Sequence, residues 1–179
     1  MTCEEFMAEL QSNNICMELL PGLLVKELTE KSLKIATAES CTGGLISKMI
    51  TDVSGASSVF DLGVCSYANE IKEKVLGVSA FDLKTKGAVS EEVAKQMAEG
   101  VRKLSGADIG ISTTGIAGPT GGTALKPVGT VYIGVSTMDK NYAILANLAV
   151  KNATRDNIRQ SAAFLAIYCG FKEAKAEKY

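Results

Sequence analysis

Three segments of the sequence carry side chains that can attack a carbonyl group or bind an anion. The first places Ser40 and Cys41 between a buried run and two glycines, Gly43 and Gly44. A serine becomes a nucleophile when a neighbouring base takes its proton, and a cysteine at the start of a helix can be acidic enough to compete with it. Backbone N–H groups at such a turn can hold a phosphate or a developing oxyanion. A closely packed turn without chemistry is the alternative.

The sequence contains no histidine. This absence excludes a Ser-His-Asp triad, a Cys-His pair and a histidine-ligated zinc site. A proton must then move through a lysine, a tyrosine, a carboxylate or water. Lys72 is the candidate base, because it lies one helical turn beyond a strand that should neighbour the Ser40 strand. On the residues alone, an ordinary exposed lysine is the more common situation.

The second segment, residues 115–126, is a glycine-rich loop after a buried strand and includes Gly115, Ala117 and Gly118. It matches neither a Walker A loop nor a G-x-G-x-x-G fingerprint. A loop of about a dozen residues in a compact domain is more often functional or mobile than idle. The third segment pairs Arg155 with Arg159 on one helical face, where they can bind phosphate, contact a partner subunit or simply face solvent.

Alternating strands and helices must position these segments. The order predicts an α/β layered fold with parallel strand pairs, made mixed by a hairpin late in the chain. Asn69, Ser90 and Thr154 are predicted helix caps. The predicted helices are 3–30, 45–51, 69–77, 90–104 and 154–168, and the predicted strands are 34–38, 64–67, 107–113, 128–137 and 142–150.

The bulk composition narrows the function further. We expect one domain over residues 1–179, with residues 1–15 as a helical extension. The net charge is -1 and no basic block is present, so nucleic acid is not an expected partner. No apolar run is long enough to span a membrane and the N-terminus has no signal-peptide pattern, so we expect a cytoplasmic protein. Five scattered cysteines favour reduced thiols over disulfides or zinc.

Four segments also occur in a familiar order: 38–44, then Tyr67 to Asn69 with Lys72, then 113–119, then 126–132. Together they resemble the C-terminal domain family of the competence- and damage-inducible protein CinA, over roughly residues 15 to 170. The resemblance implies a three-layer α/β/α sandwich with a mixed, partly parallel sheet, often assembled as a homodimer or larger. It implies hydrolysis of nicotinamide mononucleotide to nicotinate mononucleotide and ammonia, without metal or cofactor.

The resemblance also assigns residues. Ser40 matches the nucleophile, Lys72 the base, and Tyr67 a further polar catalytic residue. We expect substrate contacts from Glu39, Cys41, Thr42, Gly43, Gly44, Asn69, Thr114, Gly115, Ala117, Gly118 and Arg155. A nucleotide-binding regulatory module without turnover is the alternative function.

Two features depart from the family pattern. Thr120 stands where members often have an acidic residue, which bears on how the loop contacts a ligand. We find no counterpart of the N-terminal domain that fused members carry, so we do not expect its pyrophosphate-bond chemistry here.

Overall fold

The computed structural model describes residues 1–149 and 153–176. Its helices are α1 (Cys3–Ser12), α2 (Leu20–Glu30), α3 (Leu45–Thr51), α4 (Asn69–Leu76), α5 (Ala80–Thr85), α6 (Glu91–Ser105) and α7 (Arg155–Lys175). Its strands are β1 (Ile35–Glu39), β2 (Phe60–Cys65), β3 (Ile109–Gly115), β4 (Thr130–Ser136) and β5 (Asn141–Asn147). Short 3₁₀ turns cover Met17–Leu19 and Ala56–Ser58.

The five strands form one sheet in the order β2-β1-β3-β4-β5. Strand β1 is parallel to both β2 and β3, while β3, β4 and β5 pair antiparallel. The register places Glu39 opposite Cys65 on one side and opposite Thr113 on the other. The carboxyl ends of three parallel strands therefore meet at one edge of the sheet, where open α/β sheets bind ligands.

Helices cover both faces of the sheet and bury two separate apolar clusters. Helices α1, α2, α3 and α7 pack on one face, and α6, flanked by α4 and α5, packs on the other. Strand β1 contributes to both clusters, because Ile35 faces one and Ala36 and Ala38 face the other. This is the α/β/α sandwich with a mixed sheet that the sequence predicted.

Helix α6 lies unusually close to its neighbours because glycines face it. A Cβ on Gly134 would lie 2.2 Å from the carbonyl oxygen of Ala94, and Gly110 of β3 is equally close to the helix. Within the helix itself, a Cβ on Gly100 would lie 2.0 Å from the carbonyl oxygen of Leu76. The backbone of α6 is therefore in direct contact with the sheet and with α4, and this contact fixes the distance between β3 and α6.

Residues 3–30 are largely helical, as predicted, but they form two α-helices with a 3₁₀ turn between them rather than one continuous helix. The leucine periodicity continues along the segment, but the chain breaks after Asn13 and turns through Asn14, which adopts a left-handed φ of 54°. Thr2 caps α1 through a capping box with Glu5, and Pro21 lies in the first turn of α2. Residues 3–12 pack on α7 of the same chain, through buried Phe6 and Leu10.

Other boundaries also shift. Strand β2 begins at Phe60 and ends at Cys65, because this edge strand alternates between half-buried and exposed residues and offers no long apolar run. Helix α5 was not predicted, and α7 continues to Lys175. Residue 68 holds the cap position that we predicted for Asn69, whereas Ser90 and Thr154 do cap their helices. Residue 150 of the last predicted strand lies outside the described residues.

Candidate active site

The site lies at the carboxyl ends of β1, β2 and β3. Ser40 follows β1 directly, and its backbone N–H donates to the carbonyl oxygen of Thr113 at 3.0 Å. Ser66 follows β2, and its N–H donates to the carbonyl oxygen of Glu39 at 2.8 Å. Helix α4 then carries Lys72 back over this junction. Sheet register and two backbone bonds thus bring together groups that are far apart in sequence.

Lys72 points at Ser40 and is enclosed by protein. Its Nζ lies 3.0 Å from Ser40 Oγ, 2.7 Å from the carbonyl oxygen of Ser66 and 3.2 Å from that of Tyr67. The residue is 1% exposed. Carbonyl oxygens only accept hydrogen bonds, so two of the lysine protons are directed at them. When the amine is neutral, its lone pair is left for the serine hydroxyl.

The surroundings favour that neutral form. Burial lowers the pKa of Lys72 below its ordinary value, because the ammonium loses hydration. Among the described residues, no carboxylate pairs with its Nζ, so no hydrogen-bonded counter-charge restores the ammonium. The geometry and the pKa therefore agree on a buried amine able to accept a proton from Ser40.

Cys41, the rival nucleophile, is in a different situation. Its side chain is buried, and burial raises the pKa of its thiol to about 12. A thiol with such a pKa carries almost no thiolate near neutral pH, and the thiolate is the reactive form. Ser40, in contrast, is half-buried and has a base in contact.

Glu39 was predicted to contact the substrate, and its geometry does not support that prediction. The carboxylate is fully buried, and both oxygens accept bonds from Gly44, Ile46 and Ser47 at the start of α3. In the part of the chain that the structure describes, the N–H groups of Thr42 and Gly43 have no acceptor. Thr42 is buried and Gly43 is exposed, so the N–H of Gly43, rather than that of Gly44, is open to an oxyanion or a phosphate.

The glycine-rich loop is tied down along its length. A Cβ on Gly118 would lie 2.5 Å from Val128, and one on Gly115 would meet Val131 at 2.7 Å. Close packing on Val128, which precedes β4, and on Val131 of β4 therefore accounts for both glycines. Lys126 Nζ donates to the carbonyl oxygens of residues 86 and 89, at 3.0 and 2.6 Å. These contacts hold the loop in place beside the site.

Arg155 joins this loop to the other side of the site. One guanidinium nitrogen donates to the carbonyl oxygen of Gly118 at 2.9 Å, and another lies 3.1 Å from the hydroxyl of Tyr67. Tyr67 is 66% exposed, so its ring borders the opening of the site rather than its floor. Thr114 is buried, and its hydroxyl donates to the carbonyl oxygen of Ala88. Because this hydroxyl already donates its proton, it can only accept a hydrogen bond from a ligand.

The remaining predicted residues divide by depth. Thr42 and Ala117 are buried, and the Thr42 hydroxyl lies 2.7 Å from that of Thr113. Gly43 and Gly44 have left-handed φ values of 62° and 94°, which make the turn, and Gly43 is exposed. Asn69 is exposed at the first residue of α4.

Sequence reasoning missed three contributors. Arg159 donates to the carbonyl oxygen of Thr42 at 2.7 Å, and the sequence marked it only as the helical neighbour of Arg155. Thr113 holds the Thr42 hydroxyl. Ser66 supplies the carbonyl nearest to Lys72, and its own buried hydroxyl has no partner within residues 1–149 and 153–176. Nothing in the sequence signals the role of a backbone carbonyl.

Over the described ranges, no three His, Cys, Asp or Glu side chains are arranged to hold a metal ion. Over the same ranges, no helix has both the length and the apolar character needed to cross a bilayer.

Known proteins resemble this chain in sequence and in fold. The sequence model of the CinA C-terminal domain family matches residues 18–172. A putative competence-damage inducible protein of Thermoanaerobacter pseudethanolicus is 59% identical over 125 residues, which are 70% of this chain and 30% of that protein. A CinA-like protein of Anaeromyxobacter dehalogenans is 47% identical over 148 residues, 83% of this chain and 36% of that protein. The chain thus spans about a third of the length of these relatives.

Solved structures match over most of their length. A competence/damage inducible protein from Agrobacterium tumefaciens superposes with a TM-score of 0.81 at 37% identity, covering 86% of this chain and 92% of that one. A CinA superfamily protein from Klebsiella pneumoniae gives a TM-score of 0.83 at 28% identity, covering 89% and 98%.

Proposed function

This chain belongs to the CinA C-terminal domain family, and from that membership we propose that it hydrolyses the carboxamide of nicotinamide mononucleotide. The products are nicotinate mononucleotide and ammonia, as in pyridine-nucleotide salvage. The CinA superfamily includes nicotinamide-nucleotide amidohydrolases. The names of these relatives refer to competence-damage induction or to CinA and state no activity, so the proposed activity rests on the site.

One observation carries the proposal: the buried Nζ of Lys72 lies 3.0 Å from the Oγ of Ser40. Two backbone carbonyls occupy the other directions around the amine. An amine held this way can take the serine proton without a histidine, which suits a chain that has none. A surface lysine would be charged near neutral pH and could not act as this base.

In the acylation step, Ser40 Oγ attacks the amide carbon while its proton moves to Lys72. The carbonyl oxygen becomes an oxyanion, which the free N–H group of Gly43 stabilises. The C–N bond then breaks, and Lys72 returns the proton to the leaving nitrogen, directly or through Tyr67. Ammonia departs and an acyl ester on Ser40 remains.

In the deacylation step, water attacks the ester carbon and gives its proton to Lys72. The bond to Ser40 Oγ breaks and the serine regains a proton from the lysine. The pyridine carboxylate leaves with its ribose and phosphate. Arg155 and the loop around Gly118 border the opening and supply positive charge and backbone polar groups for the phosphate. We also expect a homodimer or larger assembly in the cytoplasm.

The test is ammonia release from nicotinamide mononucleotide by the purified chain, with the acid product identified by mass spectrometry. We expect turnover by the natural sequence. We expect Ser40→Ala to lose turnover by several orders of magnitude but still to be stabilised against heat by the nucleotide, because the serine hydroxyl is not needed for binding.

Two results would contradict the proposal in different ways. Thermal stabilisation of the natural sequence without any ammonia would support a nucleotide-binding module. Turnover of other amides, or release of phosphate in place of ammonia, would point to a different hydrolase.

A further inference from the structure

Glu39 is a fully buried carboxylate whose four acceptor positions are all used by one short segment. Its Oε2 accepts from the N–H groups of Gly44 and Ile46, at 2.9 and 3.0 Å. Its Oε1 accepts from the N–H and the hydroxyl of Ser47, at 2.8 and 2.7 Å. The donors are otherwise unsatisfied groups at the start of α3, where the helix also favours negative charge.

The backbone of the same residue fixes the other end of the turn. Glu39 is the last residue of β1, and its carbonyl oxygen accepts from Ser66, whose own carbonyl accepts from Lys72. Residues 40–43 are thus held between a strand end and a helix start that both attach to Glu39.

A second layer of contacts supports the carboxylate. The hydroxyls of Ser47 and Thr37 lie 2.8 Å apart, and since Ser47 donates to Glu39, Thr37 must donate to Ser47. Gly63 of β2 leaves the space for this pair: a Cβ there would lie 2.4 Å from Ser47 Oγ. The network is therefore enclosed on the side of the edge strand, and it has little room to shift.

We propose that Glu39 is the positioning residue of the nucleophile turn. Its carboxylate binds the start of α3 and not Lys72, and it sets the positions of Ser40 Oγ and the Gly43 N–H relative to Lys72. This inference rests on the proposed function for its catalytic consequence. Its structural part concerns the turn alone and can be tested without substrate.

The main variant is Glu39→Gln, which keeps the shape of the side chain. Its NH₂ group replaces one carboxylate oxygen and faces two donors, so two of the four bonds are lost. We expect kcat to fall by about a hundredfold, as for a displacement of about 1 Å of a reacting group, while KM changes little. Ser47→Ala leaves three backbone bonds intact, so its loss of kcat should be much smaller.

Two readouts do not depend on turnover. Amide hydrogen exchange at residues 44, 46 and 47 should speed up in Glu39→Gln, because their N–H groups lose acceptors. The rate at which a fluorophosphonate labels Ser40 should fall in the same variant. Tyr142→Phe is the control for general destabilisation, since it removes a 2.9 Å bond to Glu173 at β5 and α7 and should change neither readout.

The outcomes are separable. The inference would be overturned if Glu39→Gln exchanged its amides and labelled Ser40 at the same rates as the unmutated protein. It would also be overturned if Tyr142→Phe lost as much kcat as Glu39→Gln. If the natural chain releases no ammonia, the proposed function fails while exchange and labelling still decide the role of Glu39. If Glu39→Gln does not fold, Gly63→Ala displaces Ser47 from the other side. In Gly63→Ala, an unchanged rate of amide exchange at residues 46 and 47 together with an unchanged rate of Ser40 labelling would overturn the inference.

Discussion

At the scale of single residues, Ser40 and Cys41 are adjacent in sequence and opposite in environment. Ser40 is half-buried beside an amine, whereas the thiol of Cys41 is buried with a pKa raised to about 12. Adjacent residues of a turn differ in this way because one side chain faces the strand ends while the other enters the core. Chemistry alone leaves both open, and burial separates them.

We therefore expect Ser40→Ala to abolish ammonia release and Cys41→Ala to retain most of it. The first change removes the group in contact with Lys72, and the second removes a thiol that carries almost no thiolate. Initial rates with nicotinamide mononucleotide measure both. Loss of activity in the cysteine variant alone would assign the nucleophile to Cys41 instead.

The pH dependence follows from the burial of Lys72. Protonated lysine cannot accept the serine proton, so kcat/KM should rise as pH increases through the pKa of Lys72 and level off above it. Because burial lowers that pKa, the rise should come at lower pH than for an ordinary lysine. Rates measured from about pH 5 to about pH 10 cover this range.

Lys74→Met is the matched control for this profile. Lys74 is an exposed lysine on the same helix, and its loss should leave the rising limb in place. Lys72→Met should lose the limb together with nearly all activity. A rising limb that persists in the residual activity of Lys72→Met would mean that another group provides the base.

At the scale of elements, the site lies where the ends of three strands meet, and it is bordered by α7, by the loop around Gly118 and by residues 86–90. Arg155 holds the loop at Gly118 and the hydroxyl of Tyr67, while Lys126 holds the segment 86–90 from the other side. Arg155 donates to one backbone carbonyl and Lys126 to two, so each restrains a different piece of chain. The two restraints should be separable by mutation.

We expect Arg155→Ala to speed amide exchange in residues 116–122 and to leave residues 86–90 unchanged. Thr114 and Lys126 still hold the second segment in that variant. Lys126→Ala should speed exchange in residues 86–90, because that segment loses two of its hydrogen bonds. Exchange detected by mass spectrometry on both variants checks this. Identical patterns in the two would show that the loops move as one unit.

The sequence predicted most elements, because alternating apolar runs and capping residues are local signals. Ser90 and Thr154 act as caps as predicted, and the turn at residues 40–44 lies where a strand meets a helix. The contact of Lys72 with Ser40 was predicted, whereas other contacts between distant residues were not. Arg159 and Thr42 are 117 positions apart, and the acceptor is a backbone carbonyl, which every residue has.

Glu39 shows a second limit of sequence reasoning. Its neighbours suggest a ligand contact, and only the fold reveals that the carboxylate faces inward onto α3. The break between α1 and α2 escaped for a related reason, since the leucine spacing continues through a turn that Asn14 makes in a left-handed conformation. For Glu39, side-chain type predicted neither its burial nor the direction in which it points.

At the scale of the whole molecule, the two ends of the described chain pack together. Helix α1 precedes the segment that the family model matches, yet Phe6 is 2% exposed and packs on Tyr168 of α7 with ring centroids 5.6 Å apart. Lys172 of α7 also pairs with Glu9 at 3.0 Å. The first helix is therefore part of the core on that face of the sheet.

We expect Phe6→Ala to lower the free energy of unfolding by about 3–5 kcal/mol, as for other buried phenylalanines. Met7 lies on the same helix and is largely exposed, so Met7→Ala should change it by no more than about 0.5 kcal/mol. Urea unfolding of the two variants measures the difference. Equal small effects would mean that α1 detaches in solution.

Gly100 of α6 faces Leu76 of α4, and this contact matters for attempts to engineer a more heat-tolerant protein. Replacing a mid-helix glycine with alanine is a standard choice in such libraries, since helix propensity favours the change by about 1 kcal/mol. At Gly100 the added methyl would meet the carbonyl oxygen of Leu76 and push the helix off its support. Substitution of exposed residues is a safer route to higher stability, provided that the contact between α6 and α4 is left unchanged.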